Sequence, residues 1–205
     1  CICPVMTTMG ASSRGSQVAL AVQLGVMFWR SLIKPKAFIG IAALVVGLWA
    51  ILPPEQKQRF TDAGDDQTSQ QRLLYWENGW EMMKEYPWTG VGYFNFIPHY
   101  ELFYPEDMLY KTAQLPHNIF IQVGTDAGFI TLFLFMLIIL YCMIKPYQMI
   151  KKLPQNMKVE RAIMAGLGIG VLGFLIAGQF VTVTYYPFIW IHLTFIVIGS
   201  KVFTN

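Results

Sequence analysis

A polar stretch, 71–126, lies between strongly apolar segments, and the rest of the chain is arranged around it. It begins QRLLYWENGWEMMKEYPWTGVGYFNF, continues through a tyrosine-rich run and leads into LPHNIFIQVGTDAG. It holds His99, His117, Arg72 and most of the acidic residues of the chain. A polar segment enclosed by hydrophobic spans is where a membrane protein usually keeps its chemistry. We therefore expect the functional site in this stretch.

The composition around this stretch is that of an integral membrane protein. Hydrophobic residues make up 55% of the chain and charged residues 13%, and the mean hydropathy is +0.44. The runs 37–52, 127–144 and 162–186 contain no Asp, Glu, Lys or Arg. A spanning helix needs about 20 mostly apolar residues. Together with 15–33 and 188–203, these runs predict an all-α integral membrane protein with about five transmembrane helices in this fragment.

The charge distribution predicts the orientation. The loop 53–126 carries five basic and eleven acidic residues, whereas the rest of the chain carries ten basic residues and one acidic residue. Nine of those ten basic residues lie around 30–36, around 145–161 and at Lys201. If five spans alternate in direction, all nine lie on the same side of the membrane. By the positive-inside rule that side is cytoplasmic. We predict membrane helices over 1–52, an extracytoplasmic loop bearing the site over 53–117, and three further spans over 118–205.

The first residues favour a fragment of a longer protein. The chain begins CICPVM, without an initiator methionine or a basic segment typical of a signal peptide. We expect 1–13 to continue a helix whose beginning is missing. Cys1, Cys3 and Cys142 are too few and too unevenly spaced for a disulfide framework or a metal site.

A helix is predicted to open the polar stretch. Thr68 begins a capping-box pattern, and Pro87 must end the helix. Arg72, Trp76 and Trp80 recur every four residues and share one face. This face suits a helix on the membrane surface, where the arginine either contacts lipid phosphate as part of an aromatic belt or binds the phosphate of a substrate.

The segment after Pro87 leaves two more alternatives open. Gly90 and Gly92 allow a close backbone approach to an anion, but they also suit a plain turn. Aromatic side chains then alternate with prolines, and such rings either stack on sugars or lie at a membrane interface. The aromatic residues are Tyr93, Phe94, Phe96, Tyr100, Phe103 and Tyr104.

His117 is predicted at a membrane surface, where the chain returns to apolar sequence. Asn118, Gln122 and Asp126 repeat every four residues and form a polar stripe that runs into the third span. Such a stripe should face protein or a water-filled cavity rather than lipid. Beside this stripe, His117 suits a structural or a catalytic role.

The sequence resembles the C-terminal part of the O-antigen ligase and polymerase family of bacterial envelope glycosyltransferases. Each motif is weak alone, and their order, spacing and topology carry the resemblance, although Asp126 stands where a glutamate is expected. The motifs are Ser13-Arg14-Gly15 before a span, the Arg72–Trp76 helix, Pro87-x-x-Gly90-x-Gly92, and His117-Asn118 leading into a helix with Gln122, Asp126 and Gly128.

The resemblance implies that a glycan is transferred from an undecaprenyl-diphosphate carrier to an acceptor hydroxyl at the outer face of the inner membrane. It implies no metal or other cofactor. Arg14 and Arg72 would bind the diphosphate, and His117 would act on the acceptor. Asn118, Gln122, Asp126, Gly90, Gly92 and Trp76 would support them. The acceptor is lipid A core, another repeat unit or a protein side chain, and the partners include membrane lipid but no nucleic acid.

Two other classes of function compete with an enzyme. One is a transporter or flippase in which arginine and histidine line the route of an anionic lipid, and the other is a membrane scaffold whose loop recruits partners. A transporter is expected to carry polar residues or broken helices at the middle of several spans. The polarity of this sequence is concentrated at one surface, which favours the enzyme.

The predicted orientation is tested by cysteine labelling. A cysteine introduced into 71–115 should react with a membrane-impermeant thiol reagent in intact spheroplasts, because the acidic loop is expected outside. A cysteine introduced near Lys151 should be protected. The reverse labelling pattern would contradict the orientation.

Overall fold

The computed structural model describes residues 6–8, 13–32, 34–51, 53–61, 64 and 66–203, and Cys1 and Cys3 lie outside this part of the chain. The described part is all-helical, with one turn of helix at 6–8. The helices that follow are α1 (Arg14–Leu32), α2 (Pro35–Ile51), α3 (Pro54–Thr61), α4 (Gln67–Glu85), α5 (Phe96–Phe103), a 3-10 helix (Pro105–Asp107), α6 (Ile119–Lys152), α7 (Lys158–Ala177) and α8 (Pro187–Val202).

Each of the five predicted spans contains a helix, but fewer than five qualify as spans. Among the described residues, only α6 and α7 are both long and apolar enough to cross a membrane. Helix α8 is apolar but has 16 residues, and α2 has 17. Helix α1 has 19 residues, of which Gln17, Gln23 and Arg30 lower its hydropathy. The prediction of five spans is therefore corrected to two candidate spans.

Helix α4 begins one residue before the predicted capping box. Asp66 is its N-cap, and the carboxylate accepts hydrogen bonds from the backbone N–H of Ser69 at 3.0 Å and from its hydroxyl at 2.8 Å. Thr68 lies inside the helix and instead shares a hydrogen bond with the Tyr110 hydroxyl at 3.0 Å. An aspartate satisfies the free N–H groups of a first turn as well as a threonine does, so the predicted N-cap was wrong by two residues.

Helix α4 organises the segment that follows it. Tyr75 is buried against the rings of Phe96 and Tyr100, with ring centroids 5.7 and 4.8 Å away. The buried amides of Gln71 and Asn78 bind the carbonyl and the carboxylate of Asp107 at 3.0 and 2.7 Å. These contacts fold the tyrosine-rich run onto one face of the helix.

Helix α6 is sharply interrupted at Gly128, whose φ of 79° and ψ of 178° are not helical. The rings of Phe120 and Phe135 lie 6.1 Å apart. Fifteen residues of straight helix would separate them by about 22 Å. Residues 119–127 therefore fold back antiparallel to 129–152. This corrects the prediction that the polar stripe runs into the third span, because the stripe lies on the short segment before it.

The turn after α4 closes this hairpin. The Phe129 N–H donates to the Pro87 carbonyl at 2.8 Å, and the Val91 N–H donates to the Thr125 carbonyl at 2.7 Å. The turn thereby satisfies backbone groups that the helix break leaves without partners. Gly90 has a φ of 66° and lies directly on the backbone of 125–127. Its own N–H donates to the Tyr86 carbonyl, so this geometry favours the turn over an anion site.

Arg161 lies at the end of the bundle opposite to His117. It donates to the carbonyls of Ile150 and Leu153, which ties the start of α7 to the end of α6. At the other end, the Ile119 N–H donates to the Gly178 carbonyl just after α7. Helices α6 and α7 are thus joined near both ends.

Replacing Gly128 should destabilise the protein. A Cβ at this position would lie 2.7 Å from the Pro87 carbonyl oxygen and 2.7 Å from the Trp88 carbonyl carbon, and the positive φ disfavours any other residue. We expect Gly128→Ala to cost about 2 kcal/mol or more of unfolding free energy, measured by thermal unfolding in detergent. Gly166→Ala is the matched control, since its Cβ would meet nothing within 4 Å. Equal midpoints for the two variants would contradict the assigned hairpin.

Candidate active site

Two arginines lie at the end of the bundle that carries His117. Arg14 is the first residue of α1, where Gly15 lies against the ring of Phe180. The guanidinium of Arg14 donates to the Asp66 carboxylate at 3.0 Å. Burial acts to raise the pKa of Asp66, but the hydrogen bonds from Ser69 and Arg14 prevail and lower it to about 2. Asp66 is therefore ionised near neutral pH and holds Arg14 beside the start of α4.

The second arginine, Arg72, lies on α4. Its Nε is buried and has no hydrogen-bond partner within the described part of the chain. Burial lowers the pKa of Arg72 and the charge of Arg14 lowers it further, whereas Asp66 and Tyr110 act in the opposite direction. A buried nitrogen without a partner is costly unless a ligand satisfies it. Arg72 thus presents an unsatisfied donor next to a second positive charge.

His117 is held by two elements, α4 and the connection between α7 and α8, that meet at the head of α6. Its backbone N–H donates to the Thr182 hydroxyl at 2.9 Å. The carbonyl of Pro116 accepts a hydrogen bond from the Trp76 indole at 2.8 Å. The His117 backbone has a φ of 51°, a left-handed conformation that is uncommon outside glycine. The imidazole Nε2 lies 3.3 Å from the Gln114 side-chain oxygen.

The surroundings of His117 favour the neutral form of its ring. Burial lowers the pKa of His117, and the positive charge of Arg72 lowers it further. Its ordinary value is about 6.5, so the ring is neutral at neutral pH. Arg14 acts on Arg72, and Arg72 acts on His117, through their charges. The structure therefore brings together the three residues that the sequence proposes for the chemistry.

The polar stripe faces protein, as expected. Asn118 is the N-cap of α6 and accepts from the N–H groups of Phe120 and Ile121 at 2.9 and 3.3 Å. Its amide donates to Gln179 at 3.1 Å. The oxygen of Gln122 accepts from the Thr184 N–H at 3.3 Å.. The stripe thereby binds the segment that connects α7 to α8.

The other residues predicted to support the site have three separate structural roles. Trp76 positions the chain just before His117 through its bond to Pro116. Gly90 and Gly92, both with positive φ, belong to the turn that closes the hairpin. Asp126 is buried and accepts a hydrogen bond from the Tyr185 hydroxyl at 3.0 Å.

The sequence predicts a short link near 179–187 between α7 and α8, but not the role of this connection at the site. Residues 178–186 supply four polar partners to the stripe and to His117, but they fall within a run counted as one apolar span. The signal was present as a glycine followed by a polar and aromatic cluster, GQFVTVTYY. The four partners are Gln179, Thr182, Thr184 and Tyr185.

A family model described as O-antigen ligase matches residues 1–136 of the chain. The chain belongs to the O-antigen ligase family. Members of this family are membrane-associated glycosyltransferases of the ligase and polymerase type, which use a lipid-linked glycan donor and an acceptor. A comparison with curated protein sequences gives no match.

The matched part of this O-antigen ligase family member contains Arg14, Arg72 and His117. The connection 178–186 lies beyond it, yet it supplies the hydroxyl that binds the His117 backbone. Residues inside the match therefore depend for their placement on residues outside it.

The electrostatic link between Arg72 and His117 is tested by titration. Removing the positive charge in Arg72→Gln should raise the pKa of His117, because a nearby cation disfavours the imidazolium. The midpoint is measured by NMR of protein with labelled histidine, and the wild-type value should lie below 6.5. Lys84→Gln removes a charge 12 residues further along α4, about 18 Å away, and should leave the midpoint unchanged. Identical titrations in wild type and Arg72→Gln would contradict the link.

Proposed function

We propose that the protein transfers a glycan from an undecaprenyl-diphosphate donor to an acceptor hydroxyl on the extracytoplasmic side of the inner membrane. The observation that carries the proposal is the buried, unpartnered Nε of Arg72, which lies near Arg14 and a neutral His117. A buried guanidinium nitrogen without a partner, near a second positive charge, calls for an anion. A diphosphate supplies that anion, and a membrane-embedded prenyl chain would bring it to this end of the bundle.

The arginines have a chemical role in this reaction. Guanidinium groups donate parallel hydrogen bonds to phosphate oxygens, and their charge persists at every physiological pH. Negative charge grows on the diphosphate as its bond to the sugar breaks. Cations that are already positioned stabilise this charge without reorganisation. Asp66 contributes by holding Arg14 in place at 3.0 Å.

His117 is proposed as the general base. With the Gln114 oxygen as acceptor, Nε2 carries the ring proton and Nδ1 is the atom that can accept another. The acceptor hydroxyl transfers its proton to Nδ1 while its oxygen forms a bond to the anomeric carbon. The bond from that carbon to the diphosphate oxygen breaks, and undecaprenyl diphosphate leaves with the electron pair. This single displacement inverts the configuration of the sugar carbon and calls for no metal.

The acceptor belongs to one of three classes, namely lipid A core, a second repeat unit or a protein side chain. The chemistry at His117 is the same for each of them, because every acceptor presents a hydroxyl group. A reconstituted assay with a defined lipid-linked donor and each acceptor class in turn distinguishes them.

The polar groups inside the helices favour an enzyme over a transporter. Gln23 of α1 donates to the Ile169 carbonyl at 3.0 Å. His192 of α8 binds the Leu167 carbonyl through Nε2 at 2.8 Å. Both partners are backbone carbonyls of α7, so these side chains join helices to one another.

The role of Arg72 is tested by a substitution that keeps the charge. Arg72→Lys should lose most transfer activity, because an ammonium group cannot reproduce two parallel hydrogen bonds to phosphate. Its amount in the membrane should be unchanged. Transfer is measured with reconstituted protein and a defined lipid-linked donor, and Lys84→Arg serves as a control on the same helix. A normal rate for Arg72→Lys would assign the arginine to the lipid interface instead.

The role of His117 is tested by a substitution that is compatible with the positive φ of this position. His117→Asn should lower the transfer rate about 10²–10⁴-fold, as expected for loss of a general base. Asparagine adopts positive φ more readily than alanine, so His117→Asn separates the lost imidazole from backbone strain. The assay contains a chelator, which tests the metal-free mechanism in wild type at the same time. A full rate for His117→Asn would show that the histidine is structural.

A further inference from the structure

Three aromatic rings from two separate connections meet beside the hairpin. The ring of Tyr185 lies 4.9 Å from that of Tyr93 and 5.8 Å from that of Phe94, measured between centroids. Tyr93 and Phe94 are themselves 4.6 Å apart. We name these three residues the aromatic platform. Two of them follow the turn after α4, and the third belongs to the connection between α7 and α8.

One buried carboxylate orients this platform. Asp126 has 5% of its surface exposed and accepts a hydrogen bond from the Tyr185 hydroxyl at 3.0 Å. Burying a carboxylate is costly unless it is hydrogen-bonded. Asp126 thus holds Tyr185 at the point where the aromatic side chains of both connections meet.

The rings are held in place but remain open to a ligand. Tyr93 is 65% exposed and Phe94 is 44% exposed. Phe94 has a φ of 56°, and among the described non-glycine residues only His117 shares a positive φ. Backbone strain of this kind persists where the surrounding structure enforces it, and it concentrates at functional sites. The two strained residues lie at opposite ends of the short segment 119–127.

The platform lies along the path that leads away from His117. The connection 178–186 follows the polar stripe, with Thr182 at His117 and Tyr185 at Asp126. Asn118 and Asp126 are eight residues apart, which is about 12 Å of helix. Gln122 and Asp126 project from the side of this segment opposite to Phe120, which packs on the ring of Phe135. The platform therefore lies about 12 Å along this segment from the head of α6, a distance that a chain of several sugars can bridge.

We infer that Tyr93, Phe94 and Tyr185 form a sugar-stacking subsite for the glycan chain, with Asp126 as the positioning residue. The subsite takes a sugar beyond the one that reacts at His117, and it rests on the proposed function. Aromatic faces suit the apolar faces of sugar rings, and the Tyr185 hydroxyl adds a polar edge. A surface that only contacts lipid has no need of a buried carboxylate beneath it.

The inference is tested by direct binding and by kinetics. The full chain in detergent is titrated with oligosaccharides of one and of several repeat units, freed by mild acid from the surface polysaccharide of the source organism. Saturation-transfer NMR should show binding to wild type. Tyr93→Ala should weaken it about 3–10-fold, the range expected for one aromatic contact. In the transfer assay, Tyr185→Phe should raise KM for long glycans and leave kcat unchanged.

Matched variants keep the outcomes separate. Tyr147 is 59% exposed and lies near the far end of α6, so Tyr147→Ala should bind the oligosaccharides as wild type does. Unchanged binding by Tyr93→Ala, or no binding by wild type, would overturn the subsite. A spin label attached to Tyr93→Cys, in a chain without other cysteines, gives a further test. If oxygen relaxes the label more than a water-soluble nickel chelate does, the platform lies in lipid. That result would also overturn the subsite.

Failure of the subsite and failure of the proposed function are distinguishable. Lys84→Gln should bind the oligosaccharides normally, because Lys84 belongs neither to the platform nor to the proposed catalytic site. Binding that depends on Tyr93, without any transfer by wild type, would reject the proposed function and keep the subsite. Transfer by wild type with unchanged binding and KM in Tyr93→Ala would reject the subsite alone.

Discussion

The reversal of α6 at Gly128 is the constraint on which the rest of the structure depends. A helix that turns back on itself leaves backbone groups unpaired, and in a membrane protein each unpaired group is expensive. The turn after α4 supplies the partners, through Pro87 to Phe129 and through Val91 to Thr125. This arrangement docks the loop on the bundle. It also turns the segment 119–127 so that its polar stripe faces the connection between α7 and α8.

The polar stripe and His117 are held by the same connection between α7 and α8. Asn118, Gln122 and Asp126 each bind a residue of the connection 178–186, and the same connection binds the backbone of His117. The histidine is therefore held from both sides, by α4 through Trp76 and Pro116, and by the α7–α8 connection. Its pKa is lowered by burial and by Arg72, so its position also sets its protonation. The contacts that fold this segment therefore also set the environment of the His117 ring.

Charge is concentrated where the helices end. Asp66 caps α4 and binds Arg14 of α1, so that one side chain both starts a helix and holds a cation near Arg72. The acidic residue offsets part of the repulsion between the two arginines. Two cations held together in this way favour an anionic ligand, because a second negative charge relieves the repulsion that remains. Arg161 lies at the opposite end of the bundle.

The sequence alone predicted the all-helical class, the apolar helices and the family, because these follow from local composition and from short motifs. The roles of Arg14, Arg72 and His117 stay predictions. The sequence also predicted too many spans, because an apolar helix of 16 or 17 residues has the same composition as a longer one. Only the tertiary structure decided that the chain reverses at Gly128. A glycine in an apolar run is compatible with a continuous helix, and the partners that make the reversal stable lie about 40 residues earlier in the turn after α4. The same holds for the connection 178–186, whose hydroxyl and amide groups acquire a role only when 119–127 folds back against them.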